Sequence, residues 1–148
     1  MMLLVLAHAA ATWFLVGLIW VIQVVHYPLM AQVAPAHFER YQQAHMSRIT
    51  WVVAPMMLIE AFSALWIALS PPLFVPPVQA WMGLGLVLLI WISTAALSVP
   101  AHNALLRGFE PKAHRRLVQS NWFRTIGWSL RAVMVSYWML LPSVATVN

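Results

Sequence analysis

Four apolar runs of membrane-crossing length divide this chain, at about 3–25, 46–69, 78–99 and 121–141. A helix needs about 20 apolar residues to cross a hydrocarbon core. In the first run only His8, Thr12 and Gln23 are strongly polar. His26-Tyr27-Pro28 is expected to end it, because a proline pushes the preceding residue out of helical conformation. In the polar segment 32–48, Pro35 suits a first helical turn. His37, Tyr41, His45 and Arg48 then recur at spacings of four, four and three, which is one helical face. This helix is expected to continue into the second run, with a kink at Pro55 that frees the carbonyl of Trp51. Segment 70–77, SPPLFVPP, reads as an uncharged turn. The third run is polar only at Gln79, Ser93, Thr94 and Ser98 and ends at Pro100. Arg107-Gly108 reads as a helix stop. Pro111 opens a fourth helix that carries Asn121, Arg124, Trp128 and Arg131 on one face. The pattern predicts an all-α, integral membrane four-helix bundle, with 1–148 forming a single transmembrane domain.

Composition supports the same class. The chain has 148 residues, 63% hydrophobic and 7% charged, where a soluble domain carries about 25% charged residues. Glu39, Glu60 and Glu110 are its only acids, too few to cover a water-facing surface. Without cysteine there is no disulfide, no thiolate nucleophile and no thiolate metal site. The N-terminus lacks a basic leader and reads as a retained helix rather than a signal peptide.

The net charge of +5 does not point to nucleic acid, because the bases flank apolar runs. Six of the eight lie within 100–131. Every Lys and Arg lies in or beside the first and third connectors, so the positive-inside rule makes those connectors cytoplasmic. Both termini then face the other side, in what reads as a bacterial cytoplasmic membrane. The expected partners are the lipid bilayer, a lipophilic small molecule, and further copies or a larger membrane complex.

Shifting the chain by 76 residues superposes His26 on His102, Leu29 on Leu105, Pro35 on Pro111, Arg40 on Arg116, Gln43 on Gln119 and Arg48 on Arg124. The halves 1–72 and 77–148 therefore read as a duplicated helical hairpin, its pseudo-two-fold axis along the membrane normal. Equivalent residues would then share a depth and converge.

Candidate chemistry follows from polar residues placed near or inside the runs. His26, His45 and His102 offer imidazoles for a metal or haem iron, and His45 also offers proton transfer. The competing reading is interfacial histidines bonded to carbonyls. His37 and His114 read as headgroup-level residues. His8 shares the face of His26 but lies about 27 Å away at 1.5 Å per residue. Arg48 and Arg124 would clasp an anionic group, or snorkel to lipid phosphate. Glu60 and Arg131 lie within runs, where charges are costly and usually paired. They predict a buried ion pair or a network completed by Ser93, Thr94 or Ser98, with Glu60 also a candidate proton acceptor. Trp51, Trp66, Trp81, Trp122 and Trp138 suit interfacial belts. Trp20, Trp91 and Trp128 fall deeper.

Pro100 and Asn103, followed by Asn121-Trp122-Phe123-Arg124 and then Arg131, resemble the small four-helix membrane proteins grouped with anthrone oxygenases. The resemblance covers mainly the second half, with PAHN and NWFRT as its motifs. It implies oxidation of a lipophilic aromatic, with or without a bound cofactor. By that reading His45, Glu60 and Arg131 are catalytic, and Arg48, Asn103, Asn121, Trp122, Arg124 and Trp128 hold substrate. The architecture alone is also similar to four-helix haem-binding membrane oxidoreductases, including the membrane type of protoporphyrinogen oxidase. That similarity implies a haem or metal ion at His26, His45 and His102. A third expectation is a non-enzymatic accessory subunit or small transport protein.

Overall fold

The structure is a computed structural model that describes residues 1–145, and every regular element in it is helical. The last three residues of the expected half 77–148 lie outside the described residues. Helix α1 (Met2–Val21), a π-helical turn (Ile22–His26) and α2 (Tyr27–Met30) form a first rod. Helix α3 (Pro35–Leu69) is the second. Helix α4 (Pro77–Ser93), a second π-helical turn (Thr94–Ser98) and α5 (Val99–Leu105) form the third. Helix α6 (Pro111–Ala145) is the fourth.

Three rods, Met2–Met30, Pro35–Leu69 and Pro77–Leu105, are long and apolar enough to cross a membrane. The fourth, which carries Arg124 and Arg131 within its length, is not among them. Large apolar side chains face outward all round: Trp51, Phe62, Ile92 and Val133 are each more than 60% exposed. Water would penalise that surface and lipid would not. This is the construction of an integral membrane protein.

The prolines explain two irregularities. Pro28 has no N–H and its ring crowds the carbonyl four residues back. The chain answers with a wider turn, in which the Tyr27 N–H reaches the Ile22 carbonyl five residues back. Pro100 does the same, with the Val99 N–H on the Thr94 carbonyl. The break expected at His26-Tyr27-Pro28 is therefore a widened turn inside a continuing helix. Helix α3 also runs through Pro55. At the start of α6, the Glu110 carboxylate accepts the Lys112 N–H at 2.9 Å and the Ala113 N–H at 2.5 Å. That satisfies two donors the helix itself leaves open. The connector before it turns at Gly108, whose φ of +129° suits only glycine well.

Neighbouring rods run antiparallel. Early residues of α1 meet late residues of the partners, as in Trp13 with Ser136 (3.2 Å) and His8 with Ser63 (2.7 Å). Glycine lets the third and fourth rods approach: a Cβ on Gly127 would lie 3.0 Å from Ile90, and one on Gly83 would lie 3.2 Å from Arg131. Close backbone approach of this kind replaces the hydrophobic drive that lipid does not supply. Three apolar layers fill the interior. One holds Tyr27, Phe38, Leu105 and Leu117, a middle one Leu15, Met57, Ile90 and Trp128, and the last Val5, Ile67, Val75 and Trp138. Trp138, expected at an interface, is buried, and its indole N–H donates to Gln79 at 2.8 Å.

Candidate functional site

Two polar layers lie between the apolar ones. The first is centred on Glu60 and Arg131, which pair at 2.9 Å with essentially no exposure. It is the only ion pair among the described residues. Glu60 Oε1 also accepts the Thr12 hydroxyl at 2.8 Å, and Oε2 accepts the Trp128 indole N–H at 2.9 Å. Arg131 donates to the Gly83 carbonyl and, at 2.7 Å, to His8 Nε2. A guanidinium can only donate, so Nε2 of His8 is the acceptor and Nδ1–H points to Ser63 Oγ at 2.7 Å. Ser63 passes its own hydrogen to the Ile59 carbonyl. All four rods contribute, and both charged groups are satisfied.

The network corrects part of the sequence reading. The pairing of Glu60 with Arg131 is as expected. Its other members are His8, Thr12, Ser63, Trp128 and the Gly83 carbonyl, not Ser93, Thr94 or Ser98. Thr94 bonds back to the Ile90 carbonyl at 2.8 Å, and the Ser93 and Ser98 hydroxyls have no partner. His8 had been set aside on its distance from His26, a distance irrelevant to this layer. The signal was available: His8, Thr12 and Gln23 are the polar residues of an apolar run. Spacings of four and eleven place them on one helical face.

The second layer surrounds a cavity of about 170 Å³ lined by residues of all four rods. Most of its wall is aliphatic, from Leu15, Ile19 and Ile22 across to Ile49 and Val53. Its polar lining is Tyr27, His45, Thr50, Thr94, Ser98, His102, Arg124 and Trp128. Arg124 is 8% exposed and has no acidic partner among the described residues. It donates to the Tyr27 hydroxyl at 3.3 Å and to the Asn121 side-chain carbonyl. Asn121 is held in turn by Gln23 at 2.6 Å. The Nε–H of Arg124 is buried with nothing to bond, as is the Ser98 hydroxyl. A buried donor left empty costs about 1–3 kcal/mol, more on a charged group. An uncompensated cation and an unused hydroxyl in one cavity are what an anionic ligand would satisfy.

Imidazoles line the same place. His45 stacks on His26, with ring centroids 4.1 Å apart and planes 20° apart, and lies 5.8 Å from His102. Gln42 Nε2 donates to the His102 carbonyl at 3.3 Å and to His102 Nδ1 at 3.1 Å. A carbonyl only accepts, so the amide orientation is fixed and Nδ1 is the acceptor. Neutral His102 therefore carries its proton on Nε2. His45 has no hydrogen-bond partner among the described residues, and His26 Nε2 is likewise unpaired.

Several expected members are elsewhere. The three imidazoles come together, His45 stacked on His26 and tilted by 30° against His102. No group of three or more His, Cys, Asp or Glu able to hold a metal occurs among the described residues. A three-histidine metal site at His26, His45 and His102 is therefore not supported. Arg48 is exposed and lines a separate cavity, so it does not join Arg124. Asn103 is exposed, because it falls on the outer face of α5. Trp122 points outward and packs edge-on against Trp20 at 5.8 Å. Of the three deeper tryptophans only Trp128 lines the cavity; Trp20 and Trp91 are 42% and 37% exposed. Glu60 and Arg131 lie outside the cavity wall and touch it only through Trp128. His114 donates to, or accepts from, no lipid-facing group: its Nε2 donates to the Tyr27 carbonyl at 2.9 Å. Tyr27 and Gln42 were not singled out from the sequence, and Ser98 was assigned to the other polar layer.

His26 and His102 also stand differently relative to the prolines of their rods. His26 lies two residues before Pro28, and His102 two residues after Pro100. Against protein-family models, curated proteins and solved structures, the chain matches nothing.

Proposed function

We propose that this chain is a four-helix membrane bundle that takes the acidic head of a lipophilic molecule into the cavity beside Arg124 and transfers a proton there. The observation that carries the reading is the buried Arg124 guanidinium, without an acid among the described residues and with a free Nε–H, in a mostly apolar cavity. A carboxylate, phenolate or enolate supplies the missing charge and acceptor. The apolar body of the ligand would leave between the second and third rods, into lipid. At about 170 Å³ the cavity is smaller than the roughly 300–1,000 Å³ of pockets that enclose a whole ligand. A head group inside with a tail outside matches that size.

In this reading Arg124 and the Nε2–H of His102 hold the anion and His45 takes the proton. Oxidation is the reaction class we assign, with dioxygen as the oxidant, as the anthrone-oxygenase resemblance implies. A lipophilic hydroquinone would lose two protons and two electrons to become a quinone, while dioxygen becomes hydrogen peroxide. Deprotonation at His45 would raise the electron-donating power of the ring. The Glu60–Arg131 network acts as the clamp that fixes Trp128, one wall of the site.

The fourth rod is proposed to cross the membrane with the others, its Arg131 charge neutralised by Glu60. The basic connectors then lie in the cytoplasm of a bacterium, with both termini opposite. Duplication is supported by two 35-residue helices opening at Pro35 and Pro111 and by π turns before Pro28 and Pro100. The spacing between halves is 72 residues at those π turns and 76 at the long helices. One extra turn in the second half thus pairs His26 with Ser98, and not with His102.

Oxygen uptake by the chain in lipid nanodiscs, with an alkyl hydroquinone, tests this. Uptake above the protein-free rate, lost in His45→Ala, supports oxidation. Binding of the acidic lipophile with no turnover favours the carrier or accessory-subunit reading instead.

A further inference from the structure

A second cavity, of about 320 Å³, lies on the other side of the imidazole stack. His26, Tyr41, His45 and Arg48 form its polar wall, and Ala44, Ile49 and Val52 its apolar wall. His45 and Ile49 line both cavities. Arg48 is exposed and has no acidic partner among the described residues. Tyr41 reaches His26 Nδ1 at 3.4 Å, and His26 Nε2 is buried with no partner. The cavity thus offers a free guanidinium, a phenol and an imidazole nitrogen at one end. Along α3, Ile49 and Val52 then extend one and four residues past Arg48, toward the middle of the second rod. A polar end at the connector side and an apolar end running into the span is the profile of a lipid, not of a free ion.

We infer that this outer cavity is a binding site for the phosphate headgroup of an anionic membrane lipid, with Arg48 as its anchor and one acyl chain along Ile49 and Val52. The inference rests on the membrane reading of the rods but not on the ligand assigned to the inner cavity. Arg48 donates to phosphate oxygens, for which its planar fork is suited. Tyr41 turns its hydroxyl to the same group. Because His45 separates the two cavities, a lipid seated here is also the outer wall of the inner site. It would close the route from the connector side and leave lateral entry between the second and third rods.

Native mass spectrometry of the full chain, released from nanodiscs of mixed phosphatidylglycerol and phosphatidylcholine, tests it. Wild type retains phosphatidylglycerol selectively. Arg48→Gln reduces that retention about tenfold, the scale of one hydrogen bond to a charged group, while Arg124→Gln leaves it. Ala44→Phe fills the cavity without touching a charge and gives the same loss, so a folding defect in one variant does not decide the result. Equal retention in wild type and Arg48→Gln overturns the proposal. So does loss in Arg124→Gln alone, which would put the lipid in the inner cavity. Displacement of the lipid by millimolar inorganic phosphate would identify a free-anion site and also overturn it.

Discussion

Removing one charge of the Glu60–Arg131 pair should do more harm than removing both. Arg131 Nε and Glu60 Oε1 are 2.9 Å apart, with side chains 0% and 1% exposed. At a charge separation of about 4 Å and an effective dielectric near 20, the attraction is roughly 4 kcal/mol. Neither charge has another opposite charge to turn to, since Glu39 and Glu110 are exposed at the connectors. Glu60→Gln leaves Arg131 charged and buried, and Arg131→Met leaves Glu60 so; each should cost about 3–5 kcal/mol. The double variant removes the stranded charge as well as the pair. It should be more stable than the sum of the single costs by at least about 2 kcal/mol. Reversible unfolding in mixed micelles, followed by tryptophan fluorescence and helical circular dichroism, measures all four corners of the cycle. Additive costs, or single variants within about 1 kcal/mol of wild type, would refute the clamp.

Other outcomes follow from the same geometry. Gly83→Ala places a methyl 3.2 Å from Arg131 and should cost about 1–3 kcal/mol by overpacking. Gly85→Ala, two residues on with nothing within 4 Å, should be neutral or slightly stabilising in the same unfolding assay. Trp128→Phe keeps an aromatic ring but removes the N–H bonded to Glu60 and leaves a void where the larger indole stood; a loss of about 2–4 kcal/mol is expected. Pro100→Ala allows an ordinary α turn at Thr94–Ser98, which should move Ser98 from the cavity. Affinity for an acidic amphiphile should then fall severalfold while melting temperature holds, read by calorimetry in nanodiscs.

Hydropathy and proline spacing made the rods legible, because lipid allows only long, internally bonded apolar helices here. The π turns were not legible, since Pro28 and Pro100 are equally compatible with a helix stop. The same ambiguity bears on the ungapped shift that matches His26 to His102, because the two π turns are 72 residues apart and the two long helices 76. Buried charges were readable as a pair because Glu60 is the one acid inside a run. Their polar partners were not, because pairing across rods depends on rotation about each helix axis. A single turn of 100° decides whether Asn103 lines a cavity or faces out, and periodicity alone gives no absolute angle. Arg48 and Arg124 illustrate the same limit: related in sequence, they serve separate cavities.

The central claim is that Arg124 binds an anionic head inside an aliphatic cavity. Affinity for a long-chain carboxylate compared with its methyl ester, in wild type and in Arg124→Gln, tests it most directly. The account predicts that wild type prefers the acid at least tenfold and that Arg124→Gln abolishes the preference. Equal affinity of wild type for acid and ester, or a preference that survives Arg124→Gln, would contradict it.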